Sequence, residues 1–250
     1  MVTLPPVIGH RGLSSLAPEN TCAAIHAAYK QGIEWVEIDL SLLGDGTAVI
    51  FHDDTLERCT QHQGSLLSIG RDDLAWLDAG SWFSDEFSGE PIPTLASMLT
   101  LLSDYNMGLN LELKAQPLID STDVINCAHE HIEKYWRSSK PLVLSSFDHG
   151  LLLSYRKRDP NALLAMLYED LQPNWQAVAS EIKPLSLHCH YSQLNQTSIK
   201  AIKSAGYQVA VYTCNSVDEA VQLWHDGVDA IFSDQAHQLH QYLNSQAQAE

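Results

Sequence analysis

Short apolar runs rich in Val, Ile, Leu and aromatic residues recur along the chain, separated by longer stretches whose apolar positions return at helical spacing. That alternation predicts a mostly parallel sheet with helical crossovers. Nine runs read as strands: Val7–His10, Trp35–Leu40, Ala48–His52, Gly108–Lys114, Leu142–Phe147, Ala162–Tyr168, Leu185–His188, Val209–Thr213 and Ala230–Ser233. Helical spacing fills Pro18–Gln31, Leu95–Tyr105, Thr122–Arg137, His149–Lys157, Trp175–Ile182, Gln196–Ser204, Val217–Trp224 and a closing segment near Ala236–Leu243.

Nine strands are one more than a closed (β/α)8 barrel needs. The run Ala48–His52 follows Gly44-Asp45-Gly46 after only a brief turn, too short for a helical crossover, so it is predicted to pair antiparallel as an excursion. The remaining eight suit a TIM-type (β/α)8 barrel, and 250 residues is close to the size typical of that fold. Between Asp53 and Thr94 the rhythm breaks, with Gly64, Gly70, Gly80, Gly89, Pro91 and Pro93 among several aromatics, which predicts an inserted lobe over 53–94. There is no low-complexity tract, linker-like shift or close internal repeat, so one domain over 1–250 is expected.

Hydrophobic residues make up 45% of the chain and the mean hydropathy is -0.14, ordinary for a folded globular protein and too apolar for disorder. Fourteen Lys and Arg stand against 31 Asp and Glu, a formal charge of -17. Such a surface argues against nucleic acid or an anionic membrane as partner, and an anionic substrate would need locally placed positive charge. The five cysteines, at 22, 59, 127, 189 and 214, are an odd number without a CxxC pair, which argues against a disulfide scaffold. The start, Met1-Val2-Thr3-Leu4-Pro5-Pro6, lacks a basic region followed by a long apolar one, and no stretch supplies about 18 uninterrupted apolar residues. The expectation is a cytoplasmic protein without stable membrane association.

A parallel barrel gathers its working residues at the carboxyl-terminal ends of its strands. Glu37 and Asp39 stand two apart in Trp-Val-Glu-Ile-Asp-Leu, so both carboxylates project from one strand face. Two uncompensated carboxylates inside a barrel are costly, and a bound divalent cation is the simplest remedy. Glu112 and Lys114 repeat the spacing, offering a further oxygen ligand and a cation for an anionic group. An isolated pair of this kind would also suit a solvated strand face, but barrel strands leave mid-strand charges few places except the open mouth.

Gly9-His10-Arg11-Gly12 closes the first strand, and the planar fork of Arg11 suits a phosphate. Pro18-Glu19-Asn20-Thr21 opens the first long helix, with Asn20 or Thr21 as cap. Glu19 reads equally as a metal ligand or as a favourable charge at a helix start. His52-Asp53 supplies a second strand-end imidazole, and since an unperturbed His titrates at about pH 6.5, His10 and His52 suit acid and base roles. His188-Cys189-His190 lacks further ligands at a zinc spacing.

Taken in order, His10-Arg11-Gly12, Pro18-Glu19-Asn20-Thr21, Glu37-Ile38-Asp39, His52-Asp53 and Glu112-Leu113-Lys114 resemble the motifs of glycerophosphodiester phosphodiesterases. The resemblance continues through Leu77–Phe83, Ile92–Leu95, Ser145–Phe147, Val211–Asn215 and Gly227–Asp234, nearly the whole chain, and is greatest to the short cytosolic bacterial members. It implies a TIM barrel with the family's insertion over the mouth. Metal ligands then fall on Glu37, Asp39 and Glu112, the histidine pair on His10 and His52, and phosphate-binding cations on Arg11 and Lys114, with Glu19 carried less securely. Tyr212 stands where many relatives have Trp, altering the pocket wall, and Ser233-Asp234-Gln235-Ala236 replaces a common Thr-Asp-Tyr-Pro ending. Both departures are expected to lie clear of the chemistry.

The reaction so implied is hydrolysis of a small-molecule glycerophosphodiester to glycerol 3-phosphate and an alcohol. It would need one divalent cation, Mg²⁺ or Ca²⁺ by its oxygen-only ligands. Two other readings stay open at this stage: the related barrel chemistry of phosphatidylinositol-type phospholipases and spider-type sphingomyelinases, and a non-catalytic phosphodiester-binding barrel.

Overall fold

The computed structural model describes residues 2–248; Met1 and the last two residues, included in the single-domain reading of 1–250, lie outside it. The elements run β1 (Val7–Gly9), α1 (Cys22–Lys30), β2 (Trp35–Leu42), β3 (Ala48–Ile50), α2 (Leu95–Asp104), β4 (Gly108–Leu113) and α3 (Ser121–Tyr135). They continue as β5 (Leu142–Ser146), α4 (His149–Arg158), β6 (Leu163–Tyr168), α5 (Trp175–Ile182), β7 (Ser186–His190), α6 (Gln196–Ser204), β8 (Gln208–Tyr212), α7 (Val217–His225), β9 (Ala230–Ser233) and α8 (Ala236–Ala247). Eight parallel strands close into a ring because β1 pairs with both β9 and β2. Strand β3 lies outside the ring, antiparallel on β2 through Leu40↔Ile50 and Leu42↔Ala48. The fold is therefore the expected (β/α)8 barrel with one excursion strand.

Period-two alternation sorts side chains between the two faces of this ring. Ile8, Trp35, Val143, Ala165, Ala210, Ala230 and Phe232 form a cluster inside the barrel. Their neighbours Val36, Ile38, Leu109, Leu111, Leu144 and Val209 pack outward with helix residues such as Ile25, Leu99 and Leu152 in the main core. Each large aliphatic side chain so buried contributes roughly 1.5–3 kcal/mol. Small polar side chains end the loops that lead into the helices. Thr21, Thr94, Asp120, Asp148, Asn195 and Ser216 each accept a backbone N–H of the first helical turn.

Residues 53–94 hold three short 3₁₀ helices, Leu66–Ser68, Arg71–Trp76 and Asp85–Phe87. Leu56, Cys59, Leu66, Ile69, Leu77, Ala79 and Ile92 of this segment form a separate apolar cluster with Leu43, Val49 and Phe51. The segment is thus fastened to β3 and the end of β2 and meets the barrel beside the carboxyl-terminal strand ends. All five cysteines are free. No helix among the described residues is long and apolar enough to cross a membrane.

Candidate active site

The first loop sets the site's entrance. A Cβ on Gly9 would come within 2.3 Å of the Gly12 carbonyl oxygen, and Gly12 itself has φ +86°, where a Cβ would come within 2.7 Å of Ala24 Cβ in α1. Only glycine permits this close turn. Arg11, between them, is held at φ 53°, a conformation that costs a non-glycine residue of the order of 1 kcal/mol. Its backbone N–H donates to Glu37 Oε2 at 3.0 Å, and its carbonyl accepts the Asn20 N–H at 3.0 Å. The strained turn is therefore pinned to a carboxylate of β2.

Helix α1 begins later than the spacing predicts. Pro18, Glu19 and Asn20 lie outside it, and Thr21 is its cap. Asn20 sits at φ 59° and directs its side chain to Asp39 instead, donating from Nδ2 to Oδ2 at 2.8 Å and accepting the Asp39 N–H at 3.2 Å.

Glu37 and Asp39 share a face of β2, and the β2–β4 register sets Asp39 directly beside Glu112. One oxygen from each of Glu37, Asp39 and Glu112 lies within 4.8 Å of the other two, the only group of three or more His, Cys, Asp or Glu side chains so arranged among the described residues. Burial, then the charges of Asp39 and Glu112, push Glu37 well above the ordinary carboxylate value, against a smaller pull from Arg11. Burial and then Asp39 raise Glu112 to about 7 despite Lys114. Burial acts on Asp39 in the same sense, but Arg11, His52, Lys114 and the Asn20 hydrogen bond outweigh it and hold Asp39 below its usual value.

The predicted cations flank this cluster. Lys114 Nζ donates to Glu112 Oε1 at 3.0 Å and lies 3.8 Å from Asp39 Oδ1. Arg11 Nε is 3.5 Å from Asp39 Oδ2, and its Nη1 donates to Glu19 Oε1 at 2.6 Å. Glu19 stands outside the three-carboxylate cluster, held by Arg11 and by Arg58.

Both predicted imidazoles line one cavity of about 310 Å³ at the barrel mouth. Each engages Nδ1 with a carboxylate, His10 with Asp234 Oδ1 at 2.7 Å and His52 with Asp53 Oδ1 at 2.6 Å. A carboxylate partner keeps the proton on Nδ1 and leaves Nε2 for a substrate. His10 Nε2 lies 3.9 Å from Glu37 Oε2. Burial keeps His52 below the ordinary imidazole value, an effect that Asp39 opposes and Arg11 and Lys114 reinforce. Burial thus favours the neutral imidazole.

The opposite wall is apolar. Phe147, Leu167, Tyr212 and Phe232 line it, with Phe147 and His190 each edge-on to the Tyr212 ring at 5.9 and 5.8 Å. Tyr212 thus forms part of the pocket wall, its hydroxyl donating to the Tyr168 carbonyl at 2.9 Å. In the His188-Cys189-His190 run the strand turns Cys189 outward into the core, while buried His188 bonds Ser186 at 2.8 Å and is driven by burial down to about 3.

Several residues of the site escaped the sequence reading. Asn110 lines the cavity two positions before Glu112, so period-two spacing already pointed to it. Phe147 likewise follows the alternation out of β5. The ending at Ser233–Ala236 reaches the site through Asp234, the residue it shares with the common Thr-Asp-Tyr-Pro ending. Asp234 accepts from His10, Ser14 and Asn215, and Ser233 Oγ donates to Asn215 Oδ1, which in turn accepts the Asp234 N–H. Arg58 gave no local signal, because its partners lie on other loops.

A closed eight-stranded barrel with its polar machinery at the carboxyl-terminal strand ends defines a TIM-barrel enzyme. The profile of the glycerophosphoryl diester phosphodiesterase family matches residues 10–238, and the chain belongs to that family. Hydrolysis of glycerophosphodiesters is accordingly its activity. It is 30% identical over 229 residues to the glycerophosphodiester phosphodiesterase of Caldanaerobacter subterraneus subsp. tengcongensis, covering 91% of this chain and 93% of that one. Its structure is similar to that of an Oleispira antarctica phosphodiesterase solved in complex with the product sn-glycerol-3-phosphate. The TM-score is 0.93 at 39% identity, over 96% of this chain and 97% of that one. A crystal structure from Silicibacter pomeroyi shares the fold at TM-score 0.86 and 20% identity, covering 99% of this chain and 95% of that one.

Proposed function

We propose that this chain cleaves glycerophosphodiesters to sn-glycerol 3-phosphate and a free alcohol, using one divalent cation, Mg²⁺ or Ca²⁺, held by Glu37, Asp39 and Glu112. The observation that carries the reading is the convergence of these three carboxylates, from two neighbouring strands, to within 4.8 Å. The donor set fits such an ion: it is oxygen only, and it is buried with less positive charge than it needs, as the upward displacement of Glu37 and Glu112 reflects. The Oleispira complex with sn-glycerol-3-phosphate supports the product.

A divalent ion held by Glu37, Asp39 and Glu112 would supply Lewis-acid charge for the phosphoryl group and would ease deprotonation of the attacking hydroxyl. The chain's own residues do the rest. Arg11 and Lys114, flanking the carboxylates, neutralise the negative charge that builds on the phosphoryl group as it is attacked. Of His10 and His52, one accepts the proton of the attacking hydroxyl at Nε2 and the other gives a proton to the departing alcohol oxygen as the phosphorus–oxygen bond breaks. Asp234 and Asp53 orient the two rings through Nδ1, leaving Nε2 of each for proton transfer, bare on the accepting ring and protonated on the donating one. The apolar wall of Phe147, Leu167 and Tyr212 keeps bulk water from one side of the cavity. The inserted residues 53–94 act with the barrel as one unit, bordering the mouth.

Release of glycerol 3-phosphate from glycerophosphocholine tests this reading. We expect turnover that falls to background with a chelator and returns with added Mg²⁺ or Ca²⁺. Turnover indifferent to the chelator would remove the metal. No release under any condition, with phosphodiester binding retained, would make the barrel a binding protein, and preferential cleavage of intact phospholipid or sphingomyelin would assign it to the lipase-like chemistry.

A further inference from the structure

We propose that Arg58, in the inserted segment, is a positioning residue for the reaction: it fixes His52 through Asp53, using Glu19 as its anchor on the first loop. The inference rests on the acid–base role proposed above for His52.

The guanidinium of Arg58 makes two forked contacts. Toward its own segment, Nε donates to Asp53 Oδ2 at 2.6 Å and Nη2 to Asp53 Oδ1 at 2.9 Å. Toward the first loop, Nη1 donates to Glu19 Oε2 at 2.7 Å and Nη2 to Glu19 Oε1 at 2.8 Å. Both carboxylates are themselves committed to site residues. Asp53 accepts from His52 Nδ1 at 2.6 Å, and Glu19 accepts from Arg11 Nη1 at 2.6 Å. One unbroken chain of contacts, His52–Asp53–Arg58–Glu19–Arg11, therefore joins the segment after β3 to the first loop.

Arg58 does not line the cavity, so its influence on the reaction passes through other side chains. Two features make that influence specific. Asp53 lies beyond the end of β3, and both its oxygens accept from Arg58; without that fork only its bond to His52 Nδ1 holds the carboxylate in place. Arg58 also brings Glu19 and Asp53, two negative groups, to one cation, and its removal leaves Glu19 with Arg11 and Asp53 with His52 as their remaining partners, the link between the two loops gone. A lysine cannot restore this, because a point charge has no planar fork to hold two carboxylates at once. Arg58 is about half exposed, and ion pairs of that exposure add little to stability, so its loss should register in turnover rather than in melting.

A double-mutant cycle in kcat for glycerophosphocholine, measured on the full chain at saturating metal, tests the proposal. Groups that support a functional ligand from behind typically matter by about 10- to 100-fold, so R58A should lower kcat by that factor with a melting temperature close to wild type. R58K, which keeps the charge and guards against a folding defect, should recover less than half of the loss. In an H52A background the same R58A substitution should cost less than about threefold, because the residue it positions is gone. Equal losses from R58A in both backgrounds, or an R58A kcat within about threefold of wild type, would overturn the positioning role alone. An H52A enzyme as active as wild type would instead overturn the acid–base reading, and this inference with it.

Discussion

Glu112→Gln is expected to abolish metal-dependent turnover, by at least about 10³-fold, while leaving the barrel folded and making the metal-free protein more stable at neutral pH. The first part follows from geometry. Glu112 supplies one of three carboxylates sharing a space of 4.8 Å, and a bound metal ion contributes several kcal/mol of transition-state charge stabilisation. The second follows from its charge. Burial and Asp39 raise Glu112 to about 7 from an ordinary 4.5. Between those pH values the folded protein holds a proton that the unfolded chain has released, so the glutamate destabilises the fold increasingly as pH rises from 4.5 toward 7. Glutamine carries no such charge and can still accept the Lys114 hydrogen bond. The stability gain should be nearly absent at pH 4.5 and at most on the order of a few kcal/mol at pH 8. Turnover and thermal melts of metal-free wild type and variant at both pH values check this. Wild-type turnover at saturating metal, or a variant that melts lower at pH 8, would contradict it.

His52→Ala should lower kcat by about 10²–10⁴-fold, the usual contribution of a positioned acid or base. The imidazole sits on the cavity wall with its Nδ1 committed to Asp53, is a third exposed, and belongs to none of the apolar clusters of the core. Melting should therefore change little while chemistry collapses. Steady-state kinetics beside calorimetry separate the two. A loss below about threefold would return His52 to a structural role.

Much of this was legible in the chain because barrels write their register in simple periods. The nine apolar runs map onto the nine observed strands, and the short turn at Gly44–Gly46 foretold the antiparallel β3. Two-residue spacing also foretold that Glu37 and Asp39 share a face. What stayed hidden depended on contacts across the fold. Asp234 meets His10 across 224 positions of sequence, a pairing set by the closure of β9 onto β1 rather than by any local pattern. Arg58 meets Glu19 across 39 positions, through a segment whose glycines and prolines announce irregular backbone without saying where it lies. The start of α1 was misplaced for a related reason. Pro18 is a favourable opening residue, but Asn20 leaves helical geometry to pair with Asp39, and Thr21 becomes the cap.

The central claim is that Glu37, Asp39 and Glu112 together hold one divalent ion. Calorimetric titration of the metal-free protein with Mg²⁺ and with Ca²⁺ tests it most directly. One ion should bind per chain in the wild type, and binding should be lost when Glu37→Gln and Asp39→Asn are combined in a protein that still melts cooperatively. Undiminished binding by that double variant would contradict the account.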